Sequence, residues 1–142
     1  MESLKVKDYM NRRPVKLTVD MPVAEAVEQL LLSKQTGGPV INKQLEIVGF
    51  LSEQDCLGQM ITSSYYREQV CRVEDIMKTP VLSVQGNDSI LELAQTMIVE
   101  KPKMYPVLDD SGALIGTINR TEVLNAIDVQ LHSGYSSRGK GK

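Results

Sequence analysis

The sequence predicts a mixed α/β fold in which two copies of one β-α-β-β-α motif pack face to face with pseudo-twofold symmetry. The first observation behind this prediction is an internal repeat with a constant offset of 67 residues. The matching segments are Val6–Met10 with Val73–Met77, Gly38–Ile41 with Tyr105–Leu108, and Ile47–Leu51 with Leu114–Ile118. The second is that helical and strand-like patterns alternate within each copy. The third is size, since half of a 142-residue chain is too short to bury much of its surface alone.

The first copy opens with a short strand and a helix. Residues 15–19 indicate the strand, and Pro22 is well suited to the first turn of the helix that follows. The helix is predicted from apolar residues at helical spacing, namely Val23, Ala26, Val27, Leu30 and Leu31. We expect Gly37, Gly38 and Pro39 to end it.

Two paired strands and a second helix complete the first copy. Residues 39–42 and 47–51 are short, rich in β-branched side chains and separated by a polar turn, which is typical of a strand pair. A helix over residues 53–62 follows them. The second copy repeats this order, with strands at 81–84, 105–108 and 113–118 and helices over 90–98 and 121–131.

The copies differ in length by one residue near their opening strands. Pro14 matches Pro80 at an offset of 66, and the offset of 67 is restored by Val23 and Ile90. We therefore divide the chain into a first motif at 1–62, a linker at 63–72, a second motif at 73–131 and a basic tail at 132–142. The linker is expected to be helical around Tyr65–Glu68, and the tail, which has little to bury, to be disordered.

These repeated segments resemble the motifs of tandem cystathionine β-synthase (CBS) domains over roughly residues 4–131. The shared features are a Met followed by a Pro before the first strand, a Pro-Val opening the second, and a Gly-hydrophobic-hydrophobic-Ser/Thr-x-x-Asp run entering the last helix. The resemblance implies a free-standing regulatory pair that binds AMP, ADP, ATP or S-adenosylmethionine between its motifs, forms homodimers and signals to a separate, unidentified partner protein.

In the first copy, the run ends in Ser52 and Asp55, which the sequence places at the N-cap and third position of a helix. A structural role is sufficient to explain both, because the hydroxyl caps a free N–H and the carboxylate lies at the positive helix end. The resemblance adds that Asp55 accepts hydrogen bonds from ribose hydroxyls and that Ser52 contacts sugar or phosphate. It also implies that the backbone around Val15, Lys16, Gly38 and Pro39 contacts the purine.

The second copy departs from this pattern, with Asn119 in place of Ser52 and Glu122 in place of Asp55. Asn is a good cap and Glu at the third position is the usual capping-box residue, so the structural role gains weight here. Arg120, with Lys101 and Lys103, could reach a phosphate, although a solvated role is the alternative for each. By the repeat, Val81, Tyr105 and Pro106 complete the ligand-binding residues of this copy.

Several functional classes are disfavoured by the composition. The single histidine, His132, lies at the edge of the tail, so neither a nucleophile–histidine pair nor a metal site is expected, and the chain is predicted not to be an enzyme and to require no cofactor. A net charge of −2 and the absence of an 18-residue apolar run disfavour nucleic acid and membrane as partners. The basic stretch Arg138–Lys142 is the only support for nucleic-acid binding.

The remaining composition predicts a cytoplasmic protein in which Cys56 and Cys71 are reduced thiols. Two functions stay open from the sequence. One is a sensor of an adenosine-containing ligand. The other is a structural or protein-interaction module with degenerate clefts, for which the Asn119 and Glu122 substitutions are the main support.

Overall fold

Helices and strands follow one another in the order expected from the repeat. A computed structural model describes residues 4–61, 71–100 and 102–132, and follows helical backbone as far as Tyr66 and Lys140. The elements of the first copy are β1 (Leu17–Thr18), α1 (Val23–Ser33), β2 (Gly37–Ile41), β3 (Ile47–Ser52) and α2 (Glu53–Tyr66). They are followed by a short helix α3 (Val73–Ile76), β4 (Val84–Gln85), α4 (Ile90–Val99), β5 (Met104–Leu108), β6 (Leu114–Asn119) and α5 (Arg120–Lys140). A 3-10 turn at Val6–Asp8 precedes β1.

The elements form two units, each with its own three-stranded sheet. The first-repeat unit consists of residues 13–81 and contains the sheet β1-β2-β3. The second-repeat unit consists of the described residues of 1–12 and 82–142 and contains the sheet β4-β5-β6. In both sheets the first pair of strands is parallel and the second pair antiparallel. The predicted mixed α/β fold with two β-α-β-β-α repeats is confirmed.

The opening strands are shorter than expected, and their register corrects one boundary. Leu17 pairs with Val40 in β1 and β2, and Val84 pairs with Val107 in β4 and β5. The offset of 67 is therefore already restored at Leu17, before Val23. The predicted strand over residues 81–84 is wrong by up to three residues, because β4 starts at Val84 and the one-residue difference is absorbed in the segment before it.

The end of α1 also differs from the prediction. The helix stops after Ser33, where Lys34 adopts the left-handed conformation with φ 58° and donates its N–H back into the last turn. Gly37, Gly38 and Pro39 therefore do not end the helix but form the first part of β2. Gly38 is needed there because a Cβ atom would lie 2.7 Å from the Val15 carbonyl oxygen, closer than real Cβ contacts occur.

The segments that begin the two repeats exchange places between the units. The 3-10 turn at Val6–Asp8, from the start of the first repeat, packs in the second-repeat unit, where Val6 donates its N–H to the Asp88 carbonyl at 3.0 Å. The helix α3, from the start of the second repeat, packs in the first-repeat unit, where Val73 donates to the Met21 carbonyl at 2.8 Å. Each unit therefore completes its core with a segment of the other repeat.

Each unit has a core on the helix-facing side of its sheet. In the first-repeat unit the buried residues are Val15, Leu17, Met21, Ala26, Leu30, Val40, Leu51, Cys56 and Val73. In the second-repeat unit they are Val6, Met10, Ile90, Leu93, Tyr105, Val107, Ile118, Val123 and Ala126. Most occupy equivalent positions 67 residues apart, so one packing scheme is used twice.

The predicted motif, linker and tail boundaries are a division by sequence, whereas the two units are a division by contact. The helix expected over residues 53–62 runs to Tyr66, into the predicted linker at 63–72, of which residues 67–70 lie outside the described residues. The helix α5 runs to Lys140, and the side chains of the basic tail from residue 133 onward also lie outside them. Disorder of that tail and face-to-face packing of the repeats stay predictions.

Candidate functional site

The best-defined polar cluster lies where β3 passes into α2. The Ser52 hydroxyl accepts the Asp55 N–H at 3.2 Å, and Asp55 Oδ2 accepts both the Ser52 N–H at 3.0 Å and its hydroxyl at 2.9 Å. This is a reciprocal capping box, so the predicted cap is confirmed. The arrangement fixes the Asp55 carboxylate at the positive end of a helix, where anions and hydrogen-bond donors of a ligand can also be accommodated.

Lys78 completes this cluster, although no pattern in the sequence indicates it. The Lys78 ammonium lies 3.3 Å from Asp55 Oδ1. The backbone of Lys78 pairs with Phe50 in β3 through two hydrogen bonds of 2.8 and 3.0 Å, which hold its side chain beside the start of α2. The Asp55 side chain is only 7% exposed, whereas that of Lys78 is 77% exposed. The carboxylate is thus nearly enclosed and the ammonium is open to solvent.

The other site residues predicted for the first copy lie in the same unit. Gly38 pairs with Leu51 and lies one position from the Gly37–Ser52 pair, so the start of β2 is adjacent to the cap. The Glu53 N–H donates to the Thr36 carbonyl at 2.9 Å, which ties the two segments together. Val15 and Pro39 are buried and Lys16 is exposed. Their contact with a purine stays a prediction.

Gln35 orders the backbone that precedes β1. Its Oε1 accepts the Val15 N–H and its Nε2 donates to the Arg13 carbonyl, both at 3.1 Å. The Gln35 side chain therefore satisfies a backbone N–H and a backbone carbonyl, as pairing with a neighbouring strand would. Sequence reasoning missed this residue because a lone glutamine after a helix carries no recognisable pattern.

The second copy forms a similar cap with different electrostatics. The Asn119 side-chain oxygen accepts the Glu122 N–H at 2.8 Å, and Glu122 Oε1 accepts the Asn119 N–H at 2.9 Å. Burial raises the pKa of Glu122, an effect that the hydrogen bond from the Asn119 backbone partly offsets. Among the described residues no cation pairs with Glu122. The position equivalent to Lys78 is occupied by Asn11.

The remaining residues predicted for the second copy differ in burial and in the unit to which they belong. Tyr105 and Pro106 are buried, and Tyr105 packs in the core with its hydroxyl unpaired among the described residues. Burial, assisted by the charge of Glu100, raises the pKa of Tyr105. Arg120 is exposed, with its N–H donated to the Lys103 carbonyl at 3.1 Å. Val81 belongs to the first-repeat unit, and Lys101 lies outside the described residues.

No group of three or more His, Cys, Asp or Glu side chains is placed to hold a metal ion within residues 4–61, 71–100 and 102–132. No described helix has the length and apolar character needed to cross a membrane. Burial, followed by the charges of Asp55 and Glu53, raises the pKa of Cys56 to about 11, so this thiol is a poor nucleophile at neutral pH.

Comparison with known protein families matches both repeats. The family described as the CBS domain matches residues 6–61 and again residues 73–129. The chain belongs to the CBS domain family. Its two matched segments form a CBS pair, and the fold described above is the CBS pair fold.

Relatives of this CBS pair include protein MJ1426 of Methanocaldococcus jannaschii, which is 24% identical over 89% of this chain and 92% of its own length. Protein MJ1404 of the same organism is 26% identical over 76% of this chain but only 25% of its own length. Protein YtoI of Bacillus subtilis is 32% identical over 64% of this chain and 19% of its length. The CBS pair is thus nearly the whole of one relative and a part of the others.

Solved structures of CBS pairs match closely. CBSX2 of Arabidopsis thaliana has a TM-score of 0.77 and 27% identity, with 93% of this chain and 99% of that chain covered. The complex of CBSX2 with AMP gives the same TM-score and identity over 92% of this chain. The CBS pair of MJ0100, solved with 5′-methylthioadenosine and S-adenosyl-L-methionine, has a TM-score of 0.75 at 17% identity, which shows likeness of fold.

Proposed function

We propose that this CBS pair is a regulatory module that binds an adenosine-containing ligand through the first-repeat unit, with Asp55 as the acceptor for the ribose hydroxyls. The observation that carries the proposal is the Asp55 carboxylate, held by Ser52 at the start of α2 and almost enclosed, yet adjacent to the glycine-lined start of β2. The AMP complex of a relative that shares 27% identity supports the same ligand class.

The chemistry of the site fits that ligand. A ribose presents two neighbouring hydroxyls, and a carboxylate accepts both as charge-assisted hydrogen bonds. The Ser52 hydroxyl is part-buried beside it and can contact sugar or phosphate. AMP, ADP, ATP and S-adenosylmethionine all carry this ribose, so the proposal is made for the class.

The second-repeat unit favours the alternative of a structural module with a degenerate cleft. Its cap carboxylate, Glu122, is half-buried without a cationic partner among the described residues, and its Tyr105 ring is enclosed in the core. We therefore assign ligand binding to the first-repeat unit and a structural role to the cap of the second.

A regulatory module acts on a partner protein and commonly pairs with a second copy of its own chain. We propose a homodimer that acts on a separate protein, and the exposed apolar side chains on the helices of each unit are candidates for its interface. They include Leu31, Leu32, Leu57, Ile61, Ile98 and Leu124. Sedimentation velocity of the purified chain tests the dimer, and a monomer at all concentrations would contradict it.

The ligand is tested by the variant Asp55→Asn. The ligand-free protein is titrated with AMP, ADP, ATP and S-adenosylmethionine while thermal unfolding is followed. A ligand at 100 times its Kd stabilises by about 2.7 kcal/mol, which raises the midpoint by about 5–10 °C in a chain of this size. We expect Asp55→Asn to abolish this rise, because the amide lacks the negative charge that makes the hydrogen bonds from the ribose hydroxyls charge-assisted.

The matched control is Asp110→Asn, which removes the same charge from an exposed turn. It should leave the ligand-induced rise unchanged. If Asp55 serves only as a cap, Asp55→Asn will lower the midpoint of the free protein and leave the rise intact. No rise with any of the four compounds in the wild-type chain would contradict the proposed function.

A further inference from the structure

The Lys78–Asp55 pair contributes little to stability. An ion pair whose ammonium is 77% exposed is screened by solvent and contributes no more than about 1 kcal/mol. The Asp55 carboxylate is already held by Ser52 through two hydrogen bonds to Oδ2. The position of Lys78, held by two backbone hydrogen bonds to Phe50, therefore calls for another explanation.

The two carboxylate oxygens of Asp55 differ in their remaining capacity to accept hydrogen bonds. Oδ2 accepts both hydrogen bonds from Ser52, whereas Oδ1 contacts the Lys78 ammonium. A ligand hydroxyl that approaches Oδ1 meets Lys78 beside it. Because an ammonium on a flexible four-carbon stem can rotate without breaking any backbone contact, Lys78 can stay next to the ligand after the hydroxyl has bound.

We propose that Lys78 binds the phosphate of the ligand and so selects phosphate-bearing adenosine compounds over adenosyl sulfonium compounds. This inference rests on the proposed function and names the ligand class for the same site. An exposed ammonium beside the positive end of α2 attracts a phosphate, because both contribute positive potential. The same two features repel the positive sulfonium of S-adenosylmethionine.

In the second-repeat unit, the position equivalent to Lys78 has an uncharged side chain. Asn11 replaces Lys78 at the equivalent position and is paired in the same way, through two hydrogen bonds of 2.8 and 3.0 Å to Thr117 of β6. The backbone geometry is thus common to both units, and at this position only the first has a cationic side chain. The phosphate inference is accordingly made for the site at Asp55.

The test compares AMP with adenosine, which has the ribose but no phosphate, by calorimetric titration of wild type and Lys78→Met. Loss of a charge-assisted hydrogen bond should weaken AMP binding about 10-fold to 100-fold. Adenosine binding should change by less than about threefold, since its contacts with Asp55 remain. Lys43→Met, on the exposed turn between β2 and β3, is the matched control and should change neither. Lys78→Arg, which keeps the charge, should retain the preference for AMP.

Three outcomes would contradict the phosphate inference or the proposed function. Equal weakening of AMP and adenosine in Lys78→Met would mean that the lysine only supports Asp55, and would overturn the phosphate inference while leaving the proposed function in place. So would a wild-type chain that binds S-adenosylmethionine more tightly than AMP. A wild-type chain that binds neither adenosine nor any of AMP, ADP, ATP and S-adenosylmethionine would instead overturn the proposed function itself.

Discussion

Two carboxylates at equivalent helix starts have opposite surroundings. Asp55 accepts two hydrogen bonds from Ser52 and lies beside the Lys78 ammonium. Glu122 accepts one backbone hydrogen bond from Asn119, and burial raises its pKa. Ionisation of Glu122 therefore costs the folded state free energy, as expected for a carboxylate removed from water without a charged partner.

The raised pKa of Glu122 predicts a particular dependence of stability on pH. The folded protein retains this proton to higher pH than the unfolded chain, so the free energy of unfolding falls as pH rises above the ordinary value of 4.5. Glu122→Gln keeps the acceptor for Asn119 and cannot ionise. It should match wild type at about pH 4 and become progressively more stable than wild type toward about pH 7.

Urea unfolding across that pH range measures this difference. Glu28→Gln, on the exposed side of α1, is the control and should show no such divergence. A Glu122→Gln protein that loses stability relative to wild type on going from acid to neutral pH would contradict the prediction.

Residues that act locally could be predicted from sequence, and those that act across the fold could not. Ser52 and Asn119 were recognisable as caps because a cap depends on residues three positions apart. Lys78 was not, because its relation to Asp55 depends on a bridge between β3 and a segment more than twenty residues further along the chain. The burial of Tyr105 likewise follows from packing between α4, α5 and the sheet.

At the scale of elements, each sheet contacts the segment that it receives from the other repeat through a glycine of the sheet and a methionine of that segment. Met77 lies directly over Gly49 in β3, and Met10 lies over Gly116 in β6. The three atoms nearest to a Cβ on Gly49 would all belong to the Met77 side chain, whereas the nearest to a Cβ on Gly116 would be the Asn11 carbonyl oxygen at 2.5 Å, followed by Met10. The nearest obstacle is therefore a flexible side chain in one unit and backbone in the other.

This difference predicts unequal effects of the same substitution. Both Gly49→Ala and Gly116→Ala should destabilise by about 1–3 kcal/mol through overpacking, with Gly116→Ala the more severe. Adding Met77→Ala should relieve much of the strain of Gly49→Ala, since it removes the colliding atoms. Adding Met10→Ala should relieve less of Gly116→Ala, because the Asn11 backbone stays in place.

Double-mutant cycles from urea unfolding quantify this. The coupling free energy of Gly49 with Met77 should exceed that of Gly116 with Met10. Equal couplings in the two units would show that the Asn11 carbonyl moves aside easily.

The sequence predicted the type of most elements correctly because each has its own periodicity. The wrong predictions concern the end of α1 and the length of the opening strands. Lys34 ends α1 in a left-handed conformation that a lysine rarely adopts, so the sequence pattern indicates a helix stop only at the glycines further on. The opening strands were predicted too long because only two residues of each pair with the sheet.

At the scale of the molecule, the compact units and the sequence repeats divide the chain differently. Similarity between repeats is the same whether a segment packs in its own unit or in the other, so the exchange of Val6–Asp8 and Val73–Ile76 could not be predicted from the repeat. The first-repeat unit is continuous along the chain, whereas the second needs residues from both ends.

A fragment of residues 13–81 should accordingly fold better than one of residues 1–70. The first contains every buried residue of its core, including Val73, and the second lacks α3 and leaves Val6 without its own core. Because a unit of this size is marginal, we expect the 13–81 fragment to unfold cooperatively at low urea and the 1–70 fragment to show no cooperative transition. Circular dichroism during urea titration measures this, and a cooperative 1–70 fragment would contradict it.

The discontinuous second-repeat unit also sets an order of events during synthesis. Residues 4–12 are synthesised before the first-repeat unit, yet the side chains that enclose Val6 and Met10 lie in α4, β5, β6 and α5, which are synthesised after it. The continuous first-repeat unit can assemble as soon as residue 81 has emerged, since domains fold as units during translation. The nascent chain therefore carries the apolar Val6 and Met10 without their core until those later elements have been made.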